Sequence, residues 1–435
     1  MSKQVSILFE QALDIALKIT RTLTSALCTE ATLVRDLRGR IRPILPTEPE
    51  TKEGKTALKK YQTDLSAELG VYGFKPDHAV LFADELSESD TLLNERHLLE
   101  KWENLAIYLL DRQIIGQDWM RDKMPRTTAN PRVAFFGIKG GVGRSTALVN
   151  WAWHLAEQGK TVLVFDLDLE SPGVSSSLLP VDHLPDFGIV DWFVEDGVGQ
   201  ADAVVREMLG NSPLAQHSGG KILVIPAYGS KTGDYLPKLA RSYAELGGAV
   251  PMSWAERLQR LVETFEKQEN PDVVILDSRA GLHDIAAAAV TRMDADTFLF
   301  AINTPQTWTG YSMLFQHWNK HPQVREFRQR LQIVAGMVPE TGRDDYLQSC
   351  KENAWNLFGE FLYDEATADD IDAFNFDLDD DSAPHEPMPI FWHRALQEFD
   401  PNTGGIDVKT ANEAYGIFME QADRMLASAA NKDNE

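Results

Sequence analysis

The sequence predicts an α/β protein in which a doubly wound, mostly parallel sheet occupies residues 131–430, preceded by a mainly helical domain over residues 1–125. Three observations carry this expectation. Beyond residue 131, short runs rich in β-branched and aromatic residues alternate with longer helical patterns: 133–136, 161–165, 221–225, 273–276, 297–301 and 331–334. Apolar runs separated by helices indicate βαβ units around a parallel sheet buried on both faces. The first run ends in a glycine-rich turn that opens directly onto a helical pattern. Before residue 131, by contrast, the apolar spacing is helical.

In chain order, Val5, Leu8, Phe9, Ala12, Leu13, Ala16 and Ile19 fall on one helical face and predict an amphipathic helix. Residues 46–54 (PTEPETKEG) have the composition of a loop. A second helical pattern passes through Leu98, Trp102, Leu105, Ala106, Leu109 and Leu110 towards Ile114 and Ile115, then breaks at Gly116. Residues 121–131 are polar and Pro-bearing, the expected domain boundary. Past the six runs, residues 373–389 read as a last short strand running into an acidic, Pro-rich loop, and residues 409–430 return to helical spacing. That final helix carries Phe418, Ala422, Met425 and Leu426 on one face. Its polar face holds Glu413, Glu420 and Asp423 rather than basic side chains, so it should pack on the domain instead of lying on a membrane.

Lys and Arg number 42 against 66 Asp and Glu, a net charge of −24. So acidic a surface repels phosphate backbones and anionic lipid, so neither nucleic acid nor a membrane is an expected partner. The local cluster Arg325, Arg328 and Arg330 is interrupted by Glu326. Cys28 and Cys350 are too few for a disulfide framework, an iron–sulfur cluster or a thiolate zinc site. The N-terminus lacks the unbroken apolar core of a signal peptide, and no stretch reaches the roughly 20 residues that span a bilayer. The expected compartment is the cytoplasm.

The most informative stretch is VAFFGIKGGVGRST, residues 133–146. A strand enters, glycines turn the chain, and a helix begins at Ser145 and Thr146. Glycines let successive backbone N–H groups converge on an anion, and the helix N-terminus adds partial positive charge. The expected phosphate cradle is Gly140, Gly141, Val142, Gly143, Arg144, Ser145 and Thr146. In it the Ser145 hydroxyl meets Mg²⁺, while Lys139 and Arg144 neutralise phosphates.

KGGVGRST resembles the deviant Walker-A motif of the ParA/MinD group of P-loop ATPases, whose usual form is KGGxGK(S/T)(S/T). Arg144 departs from it, standing where that group has its P-loop lysine. Arginine keeps the charge but replaces a point charge with a planar fork. Two further motifs extend the resemblance. FDLDLESPG (165–173) is similar to the group's DxD switch, which implies that Asp168 orients the attacking water and Asp166 supports the Mg²⁺ side. DVVILDSRAG (272–281) is similar to its Walker B and switch II, which implies Asp277 as the Mg²⁺ carboxylate and Gly281 as a backbone sensor of the γ-phosphate. Arg279 occupies the switch II proline slot. For the base, the resemblance implies the end of a later strand and a Pro-containing loop, and residues 337–339 and 387–389 occupy comparable places.

The resemblance implies a P-loop NTPase that binds ATP with Mg²⁺ and closes an ATP-dependent homodimer, with Lys139 reaching the nucleotide of the second subunit. Hydrolysis would then reopen the dimer and switch an unidentified protein partner. Two alternatives stay open from the residues. One is a nucleotide-binding scaffold with negligible turnover, and the other is a metabolic ligase or kinase on the same fold. Lacking HExxH or paired ligand spacing among its ten histidines, the chain is not expected to hold a metal other than Mg²⁺.

Overall fold

The amphipathic spacing near the N-terminus produces helix α1 (Phe9–Thr20), which buries Ala12, Ala16 and Ile19. The computed structural model describes residues 7–23, 27–86, 93, 96–113, 116–244, 252–321, 323–365, 373–396, 400–401 and 405–432, so Val5, Ile114 and Ile115 lie outside the described residues. The chain divides into two compact units, Met1–Gln117 and Asp118–Glu435.

The first unit is α/β, which corrects the expectation of a mainly helical domain. Strands β1 (Glu30–Arg35), β2 (Ile41–Leu45), β3 (Leu81–Phe82), β4 (His97–Trp102) and β5 (Leu105–Asp111) form a sheet in the order β3-β2-β1-β5-β4. Between β2 and β3, helix α2 (Lys52–Leu69) starts where the Thr51 side chain accepts the Gly54 N–H, a standard N-cap. Both helices pack on Leu33, Ile41, Leu45, Ile107 and Leu109. The stretch expected to be helical, through Leu98 and Leu110, is instead the antiparallel pair β4–β5. Leu105 and Leu109 fit a helical stripe and a strand equally well. The intervening residues decide, since Leu105, Ile107 and Leu109 are buried while Ala106 and Tyr108 are half-buried, a period of two. Glu103, at φ +51°, reverses the chain.

The second unit holds β6 (Arg132–Gly137), β7 (Thr161–Asp166), β8 (Gly210–Asn211), β9 (Lys221–Ile225), β10 (Val273–Asp277), β11 (Asp296–Ala301), β12 (Leu331–Val338) and β13 (Met388–Phe391). Their order is β13-β12-β11-β6-β10-β7-β9-β8. Neighbours run parallel apart from the antiparallel edge pair β8–β9. All six expected strands form. The last strand differs: it follows the acidic loop rather than preceding it. Pro389 lacks the N–H of an interior ladder but is tolerated on β13 because that strand is an edge.

Every residue of β6 is buried, as a two-sided parallel strand requires. Val133 and Phe135 point to one face, covered by α3 (Arg144–Glu157) and the long C-terminal helix. On the other face Ala134 packs in the cluster of α4 (Trp254–Glu269), and Phe136 in that of α5 (Pro305–Trp318) and α6 (Arg343–Phe361). The C-terminal helix α7 (Val408–Lys432) docks on the domain as expected. Its Phe418 lies 5.6 Å from Phe298 between ring centres, and its Asp423 accepts the Trp151 indole N–H at 2.9 Å. Among the described residues no helix is long and apolar enough to cross a membrane.

Residues 118–131 are laid along the second unit. Trp119 packs on Phe136 and Trp318, the Thr127 N–H donates to Glu263, and the Arg132–Glu266 pair at 2.7 Å is fully buried. From β6 the chain crosses through α3 to β7, and β10 later fills the place between them. The sheet grows both ways from β6, so its carboxyl end is the switch point where such sheets take ligands.

Candidate functional site

The loop joining β6 to α3 sits at that carboxyl end. Gly141 (φ +75°) and Gly143 (φ +84°) hold left-handed conformations that side chains disfavour, and Gly143 is the N-cap of α3. A Cβ at Gly140 or Gly141 would meet nothing within 4 Å among the described residues, so the backbone N–H edge is open to a ligand. The first turn of α3 has no acidic residue to oppose the helix dipole. Val142 anchors the loop from below, and its carbonyl lies against Gly336 of β12, where a Cβ would come within 2.4 Å of it. Gly336→Ala must therefore push the loop. Overpacking costs about 1–3 kcal/mol, so we expect roughly tenfold or greater weakening of Mg·ATP binding by calorimetry. Unchanged affinity would show the loop to be insensitive to β12.

Three aspartates close or follow the strands at this end of the sheet. Asp166 and Asp277 end the neighbouring strands β7 and β10 and are register partners; Asp168 follows in the loop. Asp277 is buried and accepts Arg144 Nε at 2.9 Å on one oxygen and the Ser145 hydroxyl at 3.1 Å on the other. Burial raises its pKa, with Arg144 and Ser145 opposing. Asp168 is raised by burial too, again opposed by Arg144, whose Nη2 stands 3.4 Å from Oδ2. Asp168 Oδ1 is buried and accepts no hydrogen bond among the described residues.

Asp166 differs from expectation. One of its oxygens accepts both the Ser175 N–H (2.9 Å) and the Ser175 hydroxyl, and the other accepts the Asp168 N–H at 3.3 Å. Burial, then the charge of Asp277, pushes its pKa up to about 7. Its side chain anchors the turn at Gly173–Ser175 rather than facing the open loop.

Arg144 also departs from its expected role. Its guanidinium, 8% exposed, is turned inward to Asp277 and Asp168 rather than out over the loop. Lys139 donates to Gln306 in the first turn of α5. The Gly281 N–H, expected to sense phosphate, donates to the Gly137 carbonyl at 3.0 Å. Met337, next to the last residue of β12, at φ +57° and 38% exposed, reaches this site. Its Sδ lies 3.7 Å from where a Gly143 Cβ would stand. Residues 388 and 389, by contrast, belong to edge strand β13.

Sequence reading missed a tie between the two switch loops. Arg279 pairs with Glu170, and the Tyr243 hydroxyl donates to the same carboxylate at 3.2 Å. Tyr235 donates to the Leu169 carbonyl. Arg279 in an unusual slot was the available signal; its acidic partner, in a loop far away in sequence, carried none.

The donor set suits a small hard cation. Among the described residues no group of three or more His, Cys, Asp or Glu side chains gathers around a point. Mg²⁺ needs no such cage, since it is commonly held by one or two carboxylates together with waters and substrate phosphates. Asp277 beside the Ser145 hydroxyl, under an open phosphate-type loop, matches that pattern.

Residues 133–302 match the family described as CobQ/CobB/MinD/ParA nucleotide binding domain. Over 242 residues the chain is 26% identical to the antiactivator FleN of Pseudomonas aeruginosa, covering 54% of this chain and 74% of FleN. Over 160 residues it is 29% identical to the chromosome-partitioning ATPase Soj of Thermus thermophilus, covering 37% of this chain and half of Soj. Among solved structures, pNOB8 ParA aligns over 70% of this chain and 98% of its own length, with a TM-score of 0.39 and 16% identity.

Proposed function

We propose, from the premise that residues 133–302 form a nucleotide-binding domain of the CobQ/CobB/MinD/ParA group, that this chain is an ATP-binding and ATP-hydrolysing switch that regulates a protein partner. The observation that carries the reading is the loop Lys139–Thr146, whose open face lies beside the buried Asp277 that accepts the Ser145 hydroxyl. ATP is the substrate we assign to it. In this reading Ser145 and Asp277 hold Mg²⁺, with Asp166 bracing the strand end behind them. Bound there, the ion would offset phosphate charge as a Lewis acid.

The residues divide the remaining work. Gly140, Gly141, Val142, Gly143 and Thr146 present backbone to the phosphates. Asp168 orients the attacking water, a role supported by its partnerless, buried Oδ1. Lys139, whose side chain donates to Gln306 at an exposed position, reaches the γ-phosphate bound by a second copy, which closes a nucleotide-sandwich dimer. Hydrolysis removes that contact, and ATP and ADP forms then differ in what a partner meets. We place the chain in the cytoplasm, in keeping with the free, buried thiols of Cys28 and Cys350. The net charge of −24 disfavours nucleic acid as the partner.

Calorimetry with Mg·ATP and a phosphate-release assay test this. We expect saturable binding, slow turnover, and ATP-dependent dimers by sedimentation. Lys139→Ala should keep ATP binding while losing the dimer. No heat of binding to folded protein ends the proposal. A scaffold with negligible hydrolysis is a second reading, favoured by Arg144 sitting against Asp168, and tight binding without phosphate release would select it.

A further inference from the structure

We infer that Arg144 is an internal counter-cation: in the nucleotide-free chain its guanidinium takes one oxygen of Asp277, the carboxylate that would hold a divalent ion, and pairs with Asp168 beside it, so metal enters this site only together with nucleotide. The inference rests on the reading above that Ser145 and Asp277 hold Mg²⁺.

Both oxygens of Asp277 are already engaged by the chain itself, one by Arg144 Nε at 2.9 Å and the other by the Ser145 hydroxyl at 3.1 Å. The same guanidinium reaches Asp168 through Nη2 at 3.4 Å. The buried Asp277 carboxylate and the half-buried Asp168 carboxylate need a positive charge between them, because burial disfavours ionisation and each charge repels the next. Arg144 supplies it. A bound cation and this guanidinium are both positive and both drawn to the Asp277 carboxylate, so each opposes the binding of the other.

The arginine fork is what makes this possible. Nε and Nη2 are separate donors held at a fixed spacing on the planar group, and here they address two carboxylates at once, whereas a lysine ammonium is a compact point charge without that fixed fork. A triphosphate brings several negative charges and accepts bidentate guanidinium bonds. It gives Arg144 a stronger acceptor along the open face of the loop, where a Cβ added at Gly140 or Gly141 would meet nothing within 4 Å among the described residues. Arg144 leaves Asp277 when nucleotide arrives, and the charge and the oxygen it frees become available to a divalent ion.

The test uses Mn²⁺ as the probe, read by electron paramagnetic resonance on the full chain with circular dichroism confirming the fold. Without nucleotide, wild type should bind Mn²⁺ at least tenfold more weakly than Arg144→Gln. Arg144→Lys, which keeps the charge and the fold, should fall between them. Adding ADP should bring Mn²⁺ onto wild type. Equal Mn²⁺ affinity for wild type and both variants without nucleotide overturns the counter-cation role while leaving the metal site intact. ADP that binds wild type and variants yet recruits no Mn²⁺ to any of them overturns the metal reading of Ser145 and Asp277, and this inference with it.

Discussion

Asp168→Asn is expected to leave Mg·ATP bound and to slow phosphate release by about 10²–10⁴-fold, the usual contribution of a positioned acid–base group. Asparagine keeps the side-chain shape, and its carbonyl can still accept from Arg144 Nη2. It loses the negative charge that would draw a proton from water at the partnerless Oδ1. Quenched single-turnover measurements with bound ATP isolate the step from product release. A variant that cleaves ATP at the wild-type rate removes Asp168 from the chemistry and leaves water orientation to another group.

Trp151→Ala should have the largest effect on stability, a loss of about 3–5 kcal/mol for truncating a large buried aromatic side chain. The indole is fully buried between the sheet and α7. It packs on Phe135 and Phe298 at ring-centre distances of 6.0 and 5.8 Å and donates to Asp423. Trp151→Phe keeps most of the packing and loses the bond to a carboxylate, worth about 1.5–3 kcal/mol. Urea unfolding followed by far-ultraviolet circular dichroism should rank wild type, Phe and Ala in that order. If alanine shifts the midpoint no more than phenylalanine, packing under α7 contributes less than its burial implies.

Much of the second unit was legible in the sequence because its signals are local. Six apolar runs mark six strands, and the glycine pattern of residues 137–143 marks the turn whose φ values glycine alone adopts easily. The first unit was less legible. Leu105 and Leu109 satisfy helical and alternating patterns together, and β1 pairs in parallel with β5 across a long stretch of intervening chain. Within the site, the identities Asp166, Asp168, Asp277 and Arg144 were readable, but their partners were not. Arg144 meets Asp277 across 133 residues and Lys139 meets Gln306 across 167, distances at which no local pattern reports a contact. Asp166 illustrates the same limit. Its position after a strand suggested a ligand, and only folding shows that Ser175 claims it.

The placement of residues 118–131 bears on how information could travel. This segment is fixed to the second unit through Trp119, Thr127 and the run up to Arg132. Arg132 is also the first residue of β6, whose last residue, Gly137, opens the phosphate loop. Six residues, about 20 Å of extended backbone, are all that separate the tether of the first unit from the turn that would grip nucleotide. The chain that leaves the first unit thus reaches the phosphate loop through a single buried central strand.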